Sequence, residues 1–599
     1  MNTGYILGIA RGHNAGVCLL KDGEIVFAIE EERLSRVKYD GGPYATMVKV
    51  LEYTDKIDAL VISHTQPLKE TAGKTDYAGD DVYTALARKL GLIDRKLNPI
   101  DHPQVIDLSS QHHKIHAACA FYRSGFDEAA AVIIDGAGTM ARAQIGKTET
   151  TVWEVESIFD CSYPDHIKSV YKHFGSKDPI HTVLNSNCPS EKFGEEGEHI
   201  ELISGHAGIV KVYEAVTEFA GFEAIEAGKT MGLFPYGKPN ENIPKLFNND
   251  TTFPLSNKNV IVPTYPNSAF VNLFNYDSLG EEVQWGEEDL TKLQSRRDLA
   301  YAVQTQTQEQ ALDTIRTAVK LTGKNKVVIS GGYGLNCVAN YYYLQSLNEE
   351  GIEIFVEPIS NDGGTAIGAA LLYYYSTQKS EMRRPREIYL GPQYHYNEDE
   401  ILDLASKYNG TVNDVTHADV VDLMTNKNIV ACFQGRSENG PRALGNRSLM
   451  FDPTFEDGKD FVNEIKRREY FRPFAGSILE EDAHEWFDLR GMESSPHMMY
   501  AVNCQDGVAE KIPSIIHVDG TCRIQTVNRE ENPLYYDIIK TFKEKTGVPI
   551  IFNTSFNLGG EPLVETLEDA LWTLQESNIE YLYLPEYGKL ITVGNWKTV

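Results

Sequence analysis

Short apolar runs that stop at glycine, each answered by a helix pattern, constrain this chain more than any other feature. Residues 5–10 read as a buried strand, and residues 17–28 as two strand arms joined by an Asp22, Gly23 turn. Residues 59–63 and 105–108 are further short apolar strands. Residues 129–135 form another, ending in Asp135 before Gly136. A long helix pattern covers 297–323. Residues 326–330 then read as a strand, Gly331 and Gly332 as a turn, and Leu335 onward as a helix. Residues 352–356 are a strand, and 363–375 a helix rich in Gly and Ala. Strands alternating with helices predict an α/β architecture.

A polar, helix-breaking stretch near 377–395 marks a join, beyond which strands and helices alternate again. Residues 140–205 read as the least regular part of the first half. They hold turn residues, Trp153, scattered histidines (His166, His173, His181, His199) and an acidic patch at 194–198. That segment is either a specificity insertion or a surface excursion.

With 599 residues, 42% of them hydrophobic, the chain has length for two or more cores. Its 56 basic and 86 acidic residues give a net charge of −30. A field of that sign repels nucleic acid at long range, although a local basic groove would still hold a polyanion. Eight cysteines without a CxxC pair read as reduced thiols of a cytoplasmic protein. No apolar run approaches a membrane span, and the N-terminus carries no secretion signal.

The strongest chemical signal lies in the second half. Arg442 and Arg447 stand five residues apart among glycines, with no acid from Asn439 to Phe451. A second cationic block follows at 465–475, with Lys466, Arg467, Arg468 and Arg472. Guanidinium forks fit phosphate or carboxylate oxygens, and glycine admits a ligand close to the backbone. Together the two blocks read as an oxyanion or phosphate pocket. The alternative, a solvated basic face, fits poorly with glycine and proline spacing.

In the first half, His112 and His116 are spaced i, i+4 at the start of a helix pattern and share one face. Such a pair grips a metal ion, but alone it also suits a surface or a helix cap. Asp135 and Asp362, both at glycine-rich strand ends, add two carboxylates; Asp362 is equally placed to cap a helix. Two imidazoles and two carboxylates suit Fe2+, Zn2+ or Mn2+. His13, in the loop after the first strand, is either a general base or a turn residue bonded to the backbone. Gly331, Gly332 and Asn336 lie between a strand and a helix, where backbone N–H groups hold phosphate. Lys229 sits among glycines in a run that imitates a P-loop without its spacing.

In order along the chain these motifs resemble the carbamoyltransferases of the NodU/CmcH type. The first half supplies GxxxxHNAG at 8–16, HHxxHAA at 112–118, IDGxG at 134–138, GKTMGLxPYG at 228–237, GGxxLNCVAN at 331–340 and DGGTAIGAAL at 362–371. The second supplies GRxENGPRALGNRS at 435–448, IKxREYFRPFA at 465–475, HVDGTCRIQTV at 517–527 and FNTSFNLGGEPLV at 552–564. The resemblance implies an actin/hexokinase-like ATPase-fold domain over residues 1–380, similar to the tRNA threonylcarbamoyl transferases. It also implies a YrdC-like α/β domain over 390–599. It implies ATP, with Mg2+, and carbamoyl phosphate as substrates, carbamoyl-adenylate as intermediate, and a hydroxyl-bearing acceptor. By motif, His112, His116, Asp135 and Asp362 become metal ligands, with Fe2+ the first choice, and His13 the residue near the acceptor hydroxyl. Lys466, Arg472, Arg442, Arg447, Arg523, Asn553 and Ser555 become the adenylate-forming pocket. Residues between Gly138 and Ser204 depart from the family pattern, so the acceptor is not carried over.

The acceptor expected is a sugar, an antibiotic-like small molecule, or a hydroxymethylated base in a nucleotide or DNA. Threonylcarbamoyl transfer to tRNA and a nucleotide-binding regulator without catalysis are the competing readings. A homodimer is left open.

Overall fold

The computed structural model describes residues 4–65, 82–96, 102–145, 147–176, 181–185, 200–204, 208–243, 246–247, 261–263, 269–271, 289–383 and 386–594. It divides into two compact units. The first comprises residues 1–28 and 41–386, the second residues 29–40 and 387–599. The expected α/β class holds in both. Among the described residues, no helix is long and apolar enough to cross a membrane.

The first unit opens with a five-stranded mixed sheet. Its order is β3 (Glu24–Glu30), β2 (Gly16–Lys21), β1 (Tyr5–Ala10), β4 (Ala59–Ser63), β5 (Val105–Asp107). Asp22 and Gly23 turn the β2–β3 hairpin with positive φ at both positions, 50° and 87°, which suits the right-handed strand twist. A second sheet is built on β6 (Glu128–Ile134). On one side β14 (Lys326–Ser330) and then β15 (Glu353–Val356) run parallel to it. On the other lie β8 (Thr148–Ser162), β9 (His166–Ser176), β11 (Ile200–Ser204) and β10 (His181–Asn185), and β7 (Met140–Ile145) pairs with β8. A separate pair joins β12 (Ile261–Pro263) to β13 (Ala269–Val271).

Residues 140–205 are therefore not the irregular segment the sequence suggests; their described part is mostly strand. The reason is visible in burial. Trp153, Val155 and Phe159 are buried, but so are Glu154, Glu156, Lys172 and His173. Charges pointing inward break the apolar alternation by which a strand is recognised. The acidic patch at 194–198 and His199 lie outside the described residues.

Two helices frame the chemistry of this unit. The His112–Ser124 helix follows β5, and the Thr365–Gln378 helix follows β15. They approach backbone to backbone at Gly368, where a Cβ would fall 2.2 Å from the Ile115 carbonyl oxygen. Tyr122 and Tyr375 stack between them at 3.9 Å. Arg123 then ties the first helix to Glu357, beyond β15, through a buried pair at 3.2 Å.

The second unit is built on one ten-stranded sheet. Its order is β16 (Gly410–Asp414), β25 (Lys589–Val593), β24 (Tyr581–Leu584), β17 (Val430–Phe433), β18 (Arg447–Phe451), β23 (Ile550–Ser555), β19 (Ala475–Leu479), β22 (Thr521–Val527), β21 (Ala501–Cys504), β20 (Phe487–Asp488). Phe552 anchors its core, with Phe451 at 5.8 Å and Phe474 at 4.6 Å. Residues 29–40, although far away in sequence, belong to this unit.

Candidate metal centre and cationic site

Strands β6, β14 and β15 are parallel, so their carboxyl ends point the same way, the edge at which open α/β sheets hold ligands. Asp135 stands one residue past β6, Gly331 and Gly332 directly after β14, and Asp362 in the loop after β15. The first turns of the His112–Ser124 helix bring His112 and His116 to the same place. Ligand atoms of His112, His116, Asp135 and Asp362 all lie within 4.8 Å of one another. His112 Nε2 is 3.5 Å from Asp135 Oδ2 and 3.4 Å from Asp362 Oδ1; His116 Nε2 is 3.4 Å from the same Asp362 oxygen.

The electrostatics ask for a cation. Burial alone would lower the His112 pKa, but Asp362 and Asp135 outweigh it and lift it to about 10. Burial pushes both carboxyls up, yet the neighbouring histidines hold Asp135 and Asp362 well below the usual range. The Nε2 atoms of His112 and His116 are buried without a hydrogen-bond partner. Two orphaned imidazole nitrogens facing two ionised carboxylates fit a divalent metal ion, and the donor set of nitrogen and oxygen admits Fe2+, Zn2+ or Mn2+.

The centre is braced from behind. Gln111 gives the His112–Ser124 helix no side-chain cap. Its first N–H groups are taken up instead by Thr139 Oγ1, from His112 at 3.1 Å, and by Glu154 Oε2, from His113 at 3.4 Å. Glu154 also accepts the Thr139 N–H at 3.0 Å and pairs with the buried Lys172 ammonium. His113 turns away from the ligands and bonds Ser157 at 2.7 Å; burial lowers its pKa to about 4.

The remaining first-unit candidates have other employment. Gly332 donates its N–H to Asp135 Oδ1 at 3.1 Å. Gly331, with φ 88°, passes so close to β6 that a Cβ would lie 2.3 Å from the Ile134 carbonyl oxygen. Gly332 thus bonds the carboxylate of Asp135, and Gly331 lets the turn pack against the end of β6. Asn336 caps its own helix through Ala339 N and exchanges hydrogen bonds with Gln304. Lys229 pairs with Glu226 at 2.7 Å. His13 is exposed in the loop after β1, near enough for its charge to act on Asp362 and on Glu214. Sequence reasoning missed Glu214, whose carboxylate lies against Gly136 and pairs with Lys211 at 2.6 Å.

In the second unit, Lys466 is 1% exposed. Its Nζ donates to the Ser555 carbonyl and lies 3.4 Å from Ser555 Oγ and 3.2 Å from Asn557 Oδ1. Burial, and then the charges of Arg468 and Arg472, hold its pKa well below the usual lysine value. Arg468 is depressed likewise, by burial and by Arg472 and Arg523. Four cations therefore act on one another here, with the acids Glu469, 3.3 Å from Arg472, and Glu561 as counterweights. Such crowding is costly unless an anion answers it. Arg468 belongs to the second cationic block but not to the pocket that the resemblance implies, and Asn557 belongs to neither. The Arg468 guanidinium lies 4.9 Å from the Phe474 ring and 3.5 Å from Thr554 Oγ1.

Arg447 departs from its expected role. Fully buried, it donates to the carbonyls of Gln434, Gly435, Asn446 and Glu565 and lies 3.8 Å over Phe433. Every donor of its fork is spent on backbone, so it clamps the loop that it ends. Asn553 is buried and donates to Ala443 O at 3.2 Å and Ser477 Oγ at 2.9 Å. Arg523 stands in register with Ala475, which pairs with Asn553 in turn. Arg442 is half-buried in the glycine loop.

A family profile described as the carbamoyltransferase N-terminus matches residues 59–371, and one described as the carbamoyltransferase C-terminus matches residues 421–589. The nodulation protein NolNO of Sinorhizobium fredii is 29% identical, over 96% of this chain and 78% of its own. The nodulation protein NolO of Bradyrhizobium diazoefficiens is 31% identical, over 79% of this chain and 77% of its own. Full-length HypF, solved in a phosphate- and nucleotide-bound form, is 14% identical at a TM-score of 0.36, over 62% of this chain and 55% of its own.

Proposed function

Because the chain belongs to the carbamoyltransferase family, we propose that its second unit makes carbamoyl-adenylate and its first unit delivers the carbamoyl group to a hydroxyl. The cluster of Lys466, Arg468, Arg472 and Arg523 carries this reading. Carbamoyl phosphate and ATP are both polyanions, and uniting them takes several fixed donors in a site with restricted water.

Hydrolysis of carbamoyl phosphate releases inorganic phosphate and leaves carbamate. A carbamate oxygen then attacks the α-phosphorus of ATP; the α–β anhydride bond breaks and pyrophosphate leaves. Lys466 and the three arginines hold the triphosphate and share the charge that builds on the pentavalent phosphorus. ATP arrives with Mg2+.

In the first unit, His112, His116, Asp135 and Asp362 would hold a divalent ion, which supplies Lewis acidity toward the carbamoyl carbonyl when bound. His13 takes the proton of the acceptor hydroxyl as the oxygen attacks the carbamoyl carbon, and AMP departs. The acceptor is the hydroxyl of a small molecule. The net charge of −30 weighs against a nucleic-acid duplex in that role.

The test is a coupled assay with ATP and carbamoyl phosphate. Wild-type protein is expected to release pyrophosphate. His13→Asn is expected to keep that release and lose the carbamoylated product. A pure protein that liberates no pyrophosphate would overturn the adenylate step.

A further inference from the structure

Residues 29–40 belong to the second unit, and two arginines from this arm hold its loops. Arg33 is buried and donates Nη2 to the Gly440 carbonyl at 2.9 Å. Gly440 precedes Arg442 by two residues in the glycine loop. Arg36 donates Nη1 to the Leu563 carbonyl at 2.6 Å and Nη2 to the Pro562 carbonyl at 3.0 Å, with Asp569 3.6 Å from its Nε. The arm is closed on itself, since Glu32 accepts from Lys38 Nζ at 2.6 Å and from Tyr39 N at 3.0 Å.

Residues 562–563 end the loop that carries the Lys466 partners. Asn557, whose Oδ1 lies 3.2 Å from Lys466 Nζ, donates to the Glu561 carbonyl at 2.6 Å. Gly559 N–H reaches the Lys466 carbonyl at 2.9 Å, and Val564 N–H closes the loop on the Phe556 carbonyl at 3.1 Å. Hydrogen bonds on either side of the Glu561–Pro562 peptide bond therefore link Arg36 to Asn557 and Lys466.

The backbone of Arg36 adds an independent observation. It sits at φ 60°, ψ 18°, the left-handed region that a side chain disfavours. Arg36 is the C-cap of the Glu31–Ser35 helix, where its N–H reaches the Glu32 carbonyl at 3.0 Å, so the backbone there is set by the cap while the guanidinium reaches the 562–563 carbonyls. Lysine in its place would keep the charge and lose the fork that spans two carbonyls.

We propose that Arg36, assisted by Arg33, is a positioning residue of the adenylate-forming site. By fixing the 556–564 loop it sets where Asn557 and Ser555 hold the Lys466 ammonium. The proposal rests on the reading of that site given above, although its structural half is independent of it.

The experiment uses the full chain with Arg36→Ala and Arg36→Lys. Hydrogen exchange is expected to speed at residues 556–564 in both variants, with the rest of the β-sheet unchanged. Pyrophosphate release at saturating substrates is expected to fall at least about tenfold. In Arg36→Ala, tens of millimolar guanidinium is expected to restore part of it, where ammonium at equal ionic strength does not. Arg36→Lys guards against a collapsed alanine variant. Unchanged exchange at 556–564, or equal rescue by ammonium, would overturn the proposal. Should wild-type protein release no pyrophosphate, the reading of the site falls, and the exchange data still judge the arm.

Discussion

Glu154 accepts the backbone N–H of Thr139 at 3.0 Å, and in doing so locks the segment after Asp135 to the start of the helix that carries His112 and His116. One carboxylate on β8 serves three donors: Thr139 N, His113 N and the Lys172 ammonium. Burial raises its pKa, yet Lys172 and His113 prevail and bring it down to about 2. It therefore stays ionised in the core.

Glu154→Gln keeps the shape and removes the charge. Groups that orient metal ligands typically contribute about 10–100-fold to metal affinity. Affinity for Zn2+ or Mn2+, read by competition with a chelating dye, is expected to fall by about that factor. His112→Ala is expected to lose binding outright. Unchanged affinity in Glu154→Gln would mean that the helix keeps its place without this cap.

The grouping of His112, His116, Asp135 and Asp362 was legible in the sequence, and its support was not. His112 and His116 announce themselves by helical spacing, and Asp135 and Asp362 by their place between an apolar strand and glycine. Convergence within 4.8 Å then follows from parallel β6, β14 and β15 ending on one edge. Glu154 and Lys172 gave no such signal, because charge on a strand reads as an outer face until the partner charge on the next strand is seen. Arg447 shows the opposite failure. Its glycine-rich setting suggests a ligand, but composition does not say whether a guanidinium turns toward solvent or toward four backbone carbonyls. Arg33 and Arg36 were invisible because nothing in residues 29–40 reveals that they fold with a unit that begins some 350 residues later.

Arg123 and Glu357 form a buried pair at 3.2 Å that ties the helix carrying His112 and His116 to the end of β15. Removing one partner of such a pair leaves the other charge buried, at a cost of about 3–5 kcal/mol. Arg123→Ala is expected to lower stability by that amount in denaturant unfolding of the metal-free protein. An Arg123→Met, Glu357→Leu double variant is expected to recover most of the loss, since both charges go together.

Arg447 and Arg468 are expected to separate stability from activity. Arg447→Lys keeps a positive charge but loses several charged hydrogen bonds to carbonyls, each contributing about 1.5–3 kcal/mol. A clear drop in thermal midpoint should accompany any loss of rate. Arg468→Met removes a crowded charge, lowered by burial and by its neighbours Arg472 and Arg523. Its thermal midpoint is expected to hold or rise while pyrophosphate release collapses, the trade-off of a site built for a ligand. Matching losses of stability in both variants would contradict the division between clamp and binding residue.

Lys466 gives the pH dependence. Burial and the charges of Arg468 and Arg472 lower its pKa in the free protein, while Glu561 opposes them. A lysine lowered on folding penalises the native state as pH falls below the unfolded value of about 10.4, because the unfolded chain takes the proton first. A bound polyanion reverses the balance, since its negative charge favours the ammonium. Binding of ATP or carbamoyl phosphate is therefore expected to draw a proton from solution. Calorimetry in buffers of different ionisation enthalpy should show net uptake, and affinity should weaken as pH rises through the free-state pKa of Lys466. Lys466→Met should abolish that uptake. Proton release on binding, or uptake that persists in Lys466→Met, would show that this lysine is not the group that answers the phosphate charge.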